Sequence, residues 1–599
     1  MTETVAAILK AHRAGKLKPA DTVARAFARI RAHADPAVFI SLRDETEAMA
    51  EALALDSKKS LPLYGVPVAI KDNIDVKGMA TTAACPAFAY RPANDATCVA
   101  RLRAAGAIVI GKTNLDQFAT GLNGTRSPHG TPRNAFKPDL VPGGSSSGSA
   151  VAVAAGLVPI ALGTDTAGSG RVPAMLNNIV GLKPSLGMIS NHGVVPACRT
   201  LDCVSVFALT VDDAWAALAA MAGADRNDPY TQTYEMATPG APPANVRVGV
   251  PKLGARLFFG DALASAAYEA ALERLARLGC TIAEIDIEPF HETARLLYEG
   301  PWVAERLVAT RALLASNPNA LHPVTRKVIE GGLKVSAVDT FTALYKLEAL
   351  RRIADQTFRR IDMLALPTTP TVYTVAQMLA DPIELNSRLG TYTNFVNLLD
   401  LCALALPASV RTDGAPFGLT LIAPRGADAK VASLGRAFHA DTALKLGALD
   451  EVLPKLTKPA SASAPGEIAI AVVGAHLSGM PLNHEVTKLG GRLLKKTKTA
   501  RDYRLYALAK TEPPKPGLLK VAPGKGAAIE VEIWSLPAEG FGRFVASVPP
   551  PLSIGTLKLT GGDSVKGFLV EAVAVKGARD ISRFGGWRAY LAKAKPRGR

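Results

Sequence analysis

Three short stretches of this 599-residue chain hold residue types that could carry nucleophilic catalysis. In "GTDTAGSGR", residues 163–171, Ser169 stands between two glycines. The stretch follows the apolar run "LVPIAL" and precedes "VPAMLNNIVGL", which reads as a helix. A serine at such a turn is a nucleophile if a base takes its proton. Successive N–H groups of Thr166, Ala167, Gly168 and Ser169 would then point at one spot, an oxyanion hole in form. An ordinary glycine-rich turn is the other reading.

None of the nine histidines falls within 65–85 or 141–171; a Ser-His pair assembled through the fold stays open, and a lysine is the local alternative. Lys71 directly follows "VPVAI" and so ends a buried strand. Burial disfavours the charged amine; lowering its pKa from about 10.4 to about 7.5 takes about 4 kcal/mol. The alternative is a structural lysine bonded to Asp72 or another carboxylate. Between these segments, "GGSSSGS" (143–149) offers Ser145, Ser146, Ser147 and Ser149 ahead of a run of Ala and Val. These serines either cap a deeply packed helix or pass a proton between Lys71 and Ser169.

The elements that must hold these groups follow an α/β pattern. Short apolar runs ("PVAI", "AIVIG", "VPIAL", "VRVGV", "MLALP", "ALALPA", "FGLTLIA") alternate with helical stretches such as "DALASAAYEAALERLARLG". The expected fold is one large α/β domain over 1–453, a sheet with helices on both faces. Two amphipathic helices open it, separated by "GKLKPAD". A Pro/Ala/Ser-rich linker, 454–466, leads to a small mostly-β or α+β domain, 467–599, with strands in "EIAIAVVGA", "AAIEVEIWSL" and "SVKGFLVEAVAV".

Two motif matches fail on context. "GAIVIGKT" (106–113) spells a phosphate loop, but its middle residues are a buried strand whose amides belong to the sheet. Lys112 and Thr113 would instead close a strand and open a helix, "NLDQFATGL". "GSSSG" (144–148) spells a nucleophile elbow but follows a proline-broken loop rather than a strand.

Composition narrows the class. Six scattered cysteines with no C-x-x-C pair argue against a zinc ribbon or a disulfide framework. No signal-peptide pattern or membrane-length apolar run is present, so a soluble cytoplasmic protein is expected. Of the net charge of +17, +13 lies in Leu456–Arg599, which has 23 Lys and Arg against 10 Asp and Glu. That basicity reads as a solvated surface; nucleic-acid binding is the competing reading, without a recognised motif behind it.

In this order, "GVPVAIKDN", "PGGSSSGSA" and "GTDTAGSGR" resemble the lysine, glycine-serine and nucleophile motifs of the amidase signature family. The likeness runs from about residue 20 to about 440 and includes "GAIVIGKTNLDQFATG" and "PFGLTLIA". It implies a central mixed sheet flanked by helices, with Ser169 as nucleophile, Lys71 as base and Ser145 as bridging serine, after a cis Gly144–Ser145 peptide. The oxyanion amides would be those of Thr166, Ala167, Gly168 and Ser169. Two positions depart from the family: Ser147 and Ala167 stand where glycine is usual. Both are small and leave the backbone donors in place.

"LLYEGPWVAERLVATR" (296–311) and "AVVGAHLSGMPLNHE" (471–485) further resemble allophanate hydrolases and their γ-glutamyl-cyclotransferase-like C-terminal domain. This implies hydrolysis of allophanate to ammonia and N-carboxycarbamate, which decarboxylates, with biuret or another small amide as the alternative substrate. Tyr298 and Arg306 would contact the substrate, Arg306 holding its carboxylate bidentately. A surface ion pair of Arg306 with Glu299 or Glu305 is the competing reading. His476 and His484 are the candidates for assisting decarboxylation, and the sequence does not choose between them. No metal or organic cofactor is expected. The partners expected are a small-molecule substrate, functional coupling to a urea carboxylase and a second copy in a homodimer, with neither nucleic acid nor membrane.

Overall fold

The computed structural model describes residues 4–594 except 56–57, 235–238, 241, 243–245, 454–462, 464–465 and 509–510. The expected linker therefore lies outside the described residues apart from Ser463 and Gly466. The described chain falls into two units, one within Met1–Met236 and Val246–Lys455, the other within Ala237–Asn245 and Leu456–Arg599.

The larger unit is built on eleven strands: β1 Phe39–Leu42, β2 Pro67–Lys71, β3 Ile108–Thr113, β4 Ile160–Asp165, β5 Val180–Lys183, β6 Cys203–Ala208, β7 Arg247–Pro251, β8 Thr281–Ile285, β9 Met363–Pro367, β10 Leu401–Val410 and β11 Pro416–Pro424. They form one mixed sheet in the order β1-β3-β2-β4-β6-β5-β10-β11-β9-β7-β8. β2, β3 and β4 are buried at every position, as continuous apolar runs covered on both faces should be. β2 runs parallel to β3 and to β4. Their carboxyl ends therefore emerge at one edge, where open α/β sheets place their ligands. Lys71 ends β2 and Asp165 ends β4.

The helices Val5–Arg13 and Pro19–His33 are the two amphipathic helices expected at the start. The helix Ser147–Ala154 consists wholly of small, buried residues and packs on β4, β2 and β3. Small side chains let its backbone sit deep in the sheet, which is what brings the serine loop before it to the strand ends.

Two local expectations are corrected. No helix follows β3; the chain makes only a single turn, Gln117–Ala119, with Phe118 at φ 51°. Asp116 competes for the backbone: its carboxylate accepts the amides of Asn123, Gly124 and Arg126. After Ser169 the helix is only Val172–Leu176. Asn178 turns left-handed at φ 53°, and the rest of that apolar run joins the sheet as β5.

In the smaller unit a five-stranded sheet runs Arg492–Lys498, Glu530–Pro537, Glu467–Val472, Ser564–Val570, Leu552–Lys558 in spatial order. A three-stranded sheet accompanies it. Ile470, Val472, Val531, Ile533, Phe544 and Phe568 are part of its core. The apolar run after Ser564 is not one strand: it leaves the sheet at Val570, and Ala572–Val575 forms a tight helical turn.

Candidate active site

Lys71 is completely buried, and its Nζ donates to Ser145 Oγ at 2.7 Å and to Thr164 Oγ1 at 2.8 Å. Among the described residues no carboxylate pairs with it. Asp72, the alternative partner, instead holds the buried Lys112 Nζ at 3.1 Å. Burial pulls the Lys71 amine down to about 7; Asp116, Asp202 and Asp165 oppose the shift and Arg306 adds to it. Near neutrality an uncharged fraction is therefore present, and its lone pair can accept the Ser145 proton along the same short contact.

Ser145 follows the cis Gly144–Ser145 peptide, and its carbonyl accepts the Asp116 amide at 3.0 Å. A Cβ on Gly144 would fall 2.0 Å from Asp116 Oδ2, so only glycine fits there. The other serines are turned elsewhere. Ser146 Oγ donates to the Thr164 carbonyl, Ser149 Oγ to that of Leu162, and the buried Ser147 hydroxyl has no partner among the described residues.

Ser169 is 2% exposed and sits on the turn after β4. Its hydroxyl makes no hydrogen bond among the described residues, including none to Ser145 or Lys71. The relay is thus in contact from Lys71 to Ser145, and the link to Ser169 is open; such links commonly close only in the substrate complex. The turn is held by a pair the sequence reading missed. Arg171 clamps Asp165 bidentately, Nε to Oδ2 and Nη2 to Oδ1, both at 2.9 Å, and both side chains are buried. Asp165 also accepts the amides of Gly168 and Gly170, each at 3.0 Å. This corrects one expected oxyanion donor: the Gly168 N–H is already committed. The amides of Thr166, Ala167 and Ser169 have no acceptor among the described residues. Asp202 accepts the Thr166 hydroxyl, and burial raises its carboxyl to about 6 against that bond. The signal for Asp165 and Arg171 was present in "TDTAGSGR": a carboxylate and a guanidinium at the two ends of a glycine-rich turn.

Lys71 at the end of β2 is joined to Ser145 of the glycine loop, and Ser169 stands on the turn after the neighbouring strand β4. Residues 21–432 match the Amidase family, and residues 468–592 match the family described as allophanate hydrolase C-terminal domain. The chain belongs to the amidase family. Among its amidase relatives, urea amidolyase of Saccharomyces cerevisiae is 46% identical, over 90% of this chain and 30% of that protein. This chain thus spans about a third of the length of the urea amidolyases it matches. A glutamyl-tRNA(Gln) amidotransferase subunit of Symbiobacterium thermophilum is 36% identical over 74% of this chain and 97% of its own. Kluyveromyces lactis allophanate hydrolase superposes with a TM-score of 0.87 at 42% identity, covering 99% of each chain.

Arg306 is not the surface helix residue its spacing allowed. It is 2% exposed, while Glu305 is engaged by the amide and hydroxyl of Thr200. Arg306 Nη1 donates to Thr120 Oγ1 at 3.2 Å and to the Ala119 carbonyl at 3.4 Å; Nε and Nη2 are buried without a partner among the described residues. Its guanidinium lies 5.4 Å from the Tyr298 ring centre. In the smaller unit, His476 stacks on Phe568, meets Phe544 edge-on and has Nε2 2.8 Å from Glu485 Oε2. It lines a small cavity with Lys515. Burial lowers its pKa against the pull of Glu485. His484 sits at the exposed surface with Nδ1 2.8 Å from the Pro481 carbonyl.

Proposed function

We propose that the chain hydrolyses allophanate to ammonia and N-carboxycarbamate, which then loses carbon dioxide. The observation that carries the substrate is Arg306: a buried guanidinium with two unpartnered donor nitrogens, stacked by Tyr298. No carboxylate is ion-paired with it among the described residues, and a carboxylate-bearing substrate would fill the two free donors. The names of the urea amidolyase relatives and of the allophanate hydrolase neighbour agree with this reading.

Neutral Lys71 takes a proton from Ser145 as Ser145 takes one from Ser169. Ser169 Oγ attacks the terminal amide carbonyl, and the oxyanion faces the amides of Thr166, Ala167 and Ser169. The same proton returns through Ser145 to the departing nitrogen, the C–N bond breaks and ammonia leaves. Water then attacks the acyl-Ser169 ester, giving its proton to the same relay, and N-carboxycarbamate is released. His476 is the better-placed residue for the decarboxylation step. A urea carboxylase is proposed as the source of allophanate. A homodimer is proposed too, supported by the exposed apolar side chains Val338, Phe341, Leu344 and Tyr345 on the helix Ala337–Phe358; light scattering tests it.

The test is ammonia release from allophanate beside biuret, acetamide and glutamine. Allophanate should be preferred, and Ser169→Ala should lower kcat by at least ~10³-fold with the melting temperature unchanged. A preference for glutamine or a neutral amide would overturn the reading.

A further inference from the structure

A cavity of about 720 Å³ in the larger unit is lined in part by Arg126 and Tyr298. That is pocket space for a drug-sized ligand, far more than a seven-heavy-atom ureido acid fills. Arg126 is 3% exposed. Its Nη1 and Nη2 donate to the carbonyls of Thr120 and Pro382 at 2.9 and 2.6 Å, while Nε is buried without a partner. No carboxylate forms an ion pair with it among the described residues. Arg126 and Arg306 bracket the same residue, one on the Thr120 carbonyl and the other on its hydroxyl. Tyr298 belongs to both places, lining the cavity and stacking on Arg306.

The outer lining adds Lys327 and Lys334, both exposed and without a carboxylate partner among the described residues. Lys346 is also there, tied to Glu292 at 2.7 Å. Against them stand Glu299 and Asp339, the latter engaged in capping at Ser336. The chamber therefore has an excess of positive charge and a buried guanidinium with one donor nitrogen unfilled and no ion-paired carboxylate among the described residues.

We propose that this cavity is an anion-collecting antechamber of the catalytic site, and that Arg126 is a second specificity-determining residue that favours small carboxylates over neutral amides. The inference rests on the allophanate reading for its substrate but not for its charge logic. A chamber with low-dielectric walls and an excess of one sign of charge raises the local concentration of the opposite ion. It serves the product as well, since hydrolysis turns a monoanion into a dicarboxylate that must leave against the hold of Arg306.

Three variants in the full chain test it: Arg126→Gln, Arg126→Lys, and Lys327→Gln with Lys334→Gln. Biuret is the neutral analogue of allophanate. Arg126→Gln should reduce the allophanate-to-biuret ratio of kcat/KM about tenfold, and Arg126→Lys should restore most of it. The double lysine variant should lower kcat/KM for allophanate severalfold at low salt only, with kcat and biuret turnover unchanged. Equal losses on both substrates in both Arg126 variants, or a double lysine variant indistinguishable from wild type at low salt, would overturn the proposal. Calorimetric titration with malonate, a stable dicarboxylate, keeps the two readings apart. Wild type that fails on allophanate removes the substrate assignment. The antechamber then stands if malonate binding weakens at least fivefold in Arg126→Gln and in the double variant, and falls if it does not.

Discussion

Lys71 sets the pH behaviour of the site. The amine must be uncharged to accept a proton, and its pKa of about 7 makes kcat/KM rise with pH through that value and level off above it. Lys71→Arg, which cannot deprotonate, should be inactive at every pH. The same shift is a statement about stability. In the unfolded chain the amine titrates near 10.5, so between about 7 and 10.5 the unfolded state holds more protons and folding stability rises with pH. Below 7 both states are protonated and the native state carries the full penalty, about 5 kcal/mol relative to the neutral amine. Lys71→Met has no such dependence. The urea midpoint of wild type should therefore gain on that of Lys71→Met as the pH goes from 7 to 9; parallel curves would show that the amine is not held neutral. Arg306→Ala addresses the other charged group. It should cost allophanate ~10- to 100-fold more in kcat/KM than biuret, because only allophanate loses a charge-assisted bidentate partner.

At the scale of the element, the turn between β4 and the helix Val172–Leu176 is held from within by Asp165 and Arg171. Gly168 sits at φ 139°, and a Cβ there would come 2.5 Å from Thr393 Oγ1. The amides of Arg171 and Val172 close its second half on the Gly168 carbonyl, at 2.9 and 2.8 Å, and the ion pair with the two amides on Asp165 ties that half back to the end of β4. Arg171→Met leaves that carboxylate buried without its cation. It should cost ~3–5 kcal/mol in chemical denaturation and lower kcat as the oxyanion amides lose their aim. A variant as stable as wild type would place the organising force elsewhere. The strands at this edge were legible because a buried strand is a short unbroken apolar run, and "VPVAI", "AIVIG" and "VPIAL" are such runs. Lys71 and the serine loop were legible for a related reason: their polar types interrupt apolar or small-residue surroundings. What lay between was not. "NLDQFATGL" has the spacing of a helix, yet Asp116 takes the amides of Gly124 and Arg126 from the loop just after it, and Asn114 donates to the distant Ala37 carbonyl; apolar spacing records neither. Asn178 ended the next apparent helix through its own left-handed turn. Spacing alone left the inner position of Arg306 open, since its neighbours Glu299 and Glu305 fit a solvent-facing ion pair just as well, and only the likeness to allophanate hydrolases pointed it inward.

At the scale of the molecule, the chain has two units with separate cores, and the proposed reaction has two chemical steps that need different groups. Amide cleavage needs the lysine–serine relay of the larger unit. Loss of carbon dioxide from N-carboxycarbamate needs a proton delivered to the nitrogen from which the carboxyl carbon departs, and a histidine held partly neutral by burial can exchange one. His476 meets that description, packed between Phe544 and Phe568 and oriented by Glu485, whereas the ring of His484 lies at the surface against a backbone carbonyl. In the full chain, His476→Ala should leave ammonia release from allophanate at the wild-type rate and slow carbon dioxide release by ~10-fold or more, so that the two product curves separate in time. His484→Ala should leave both curves together. Because His476 also fills an aromatic cage, His476→Gln serves as the control for packing: it occupies similar space without a titrating ring, and should separate the curves as His476→Ala does while keeping the melting temperature closer to wild type. Ammonia and carbon dioxide released in step by all three variants would mean that the smaller unit takes no chemical part in the second step.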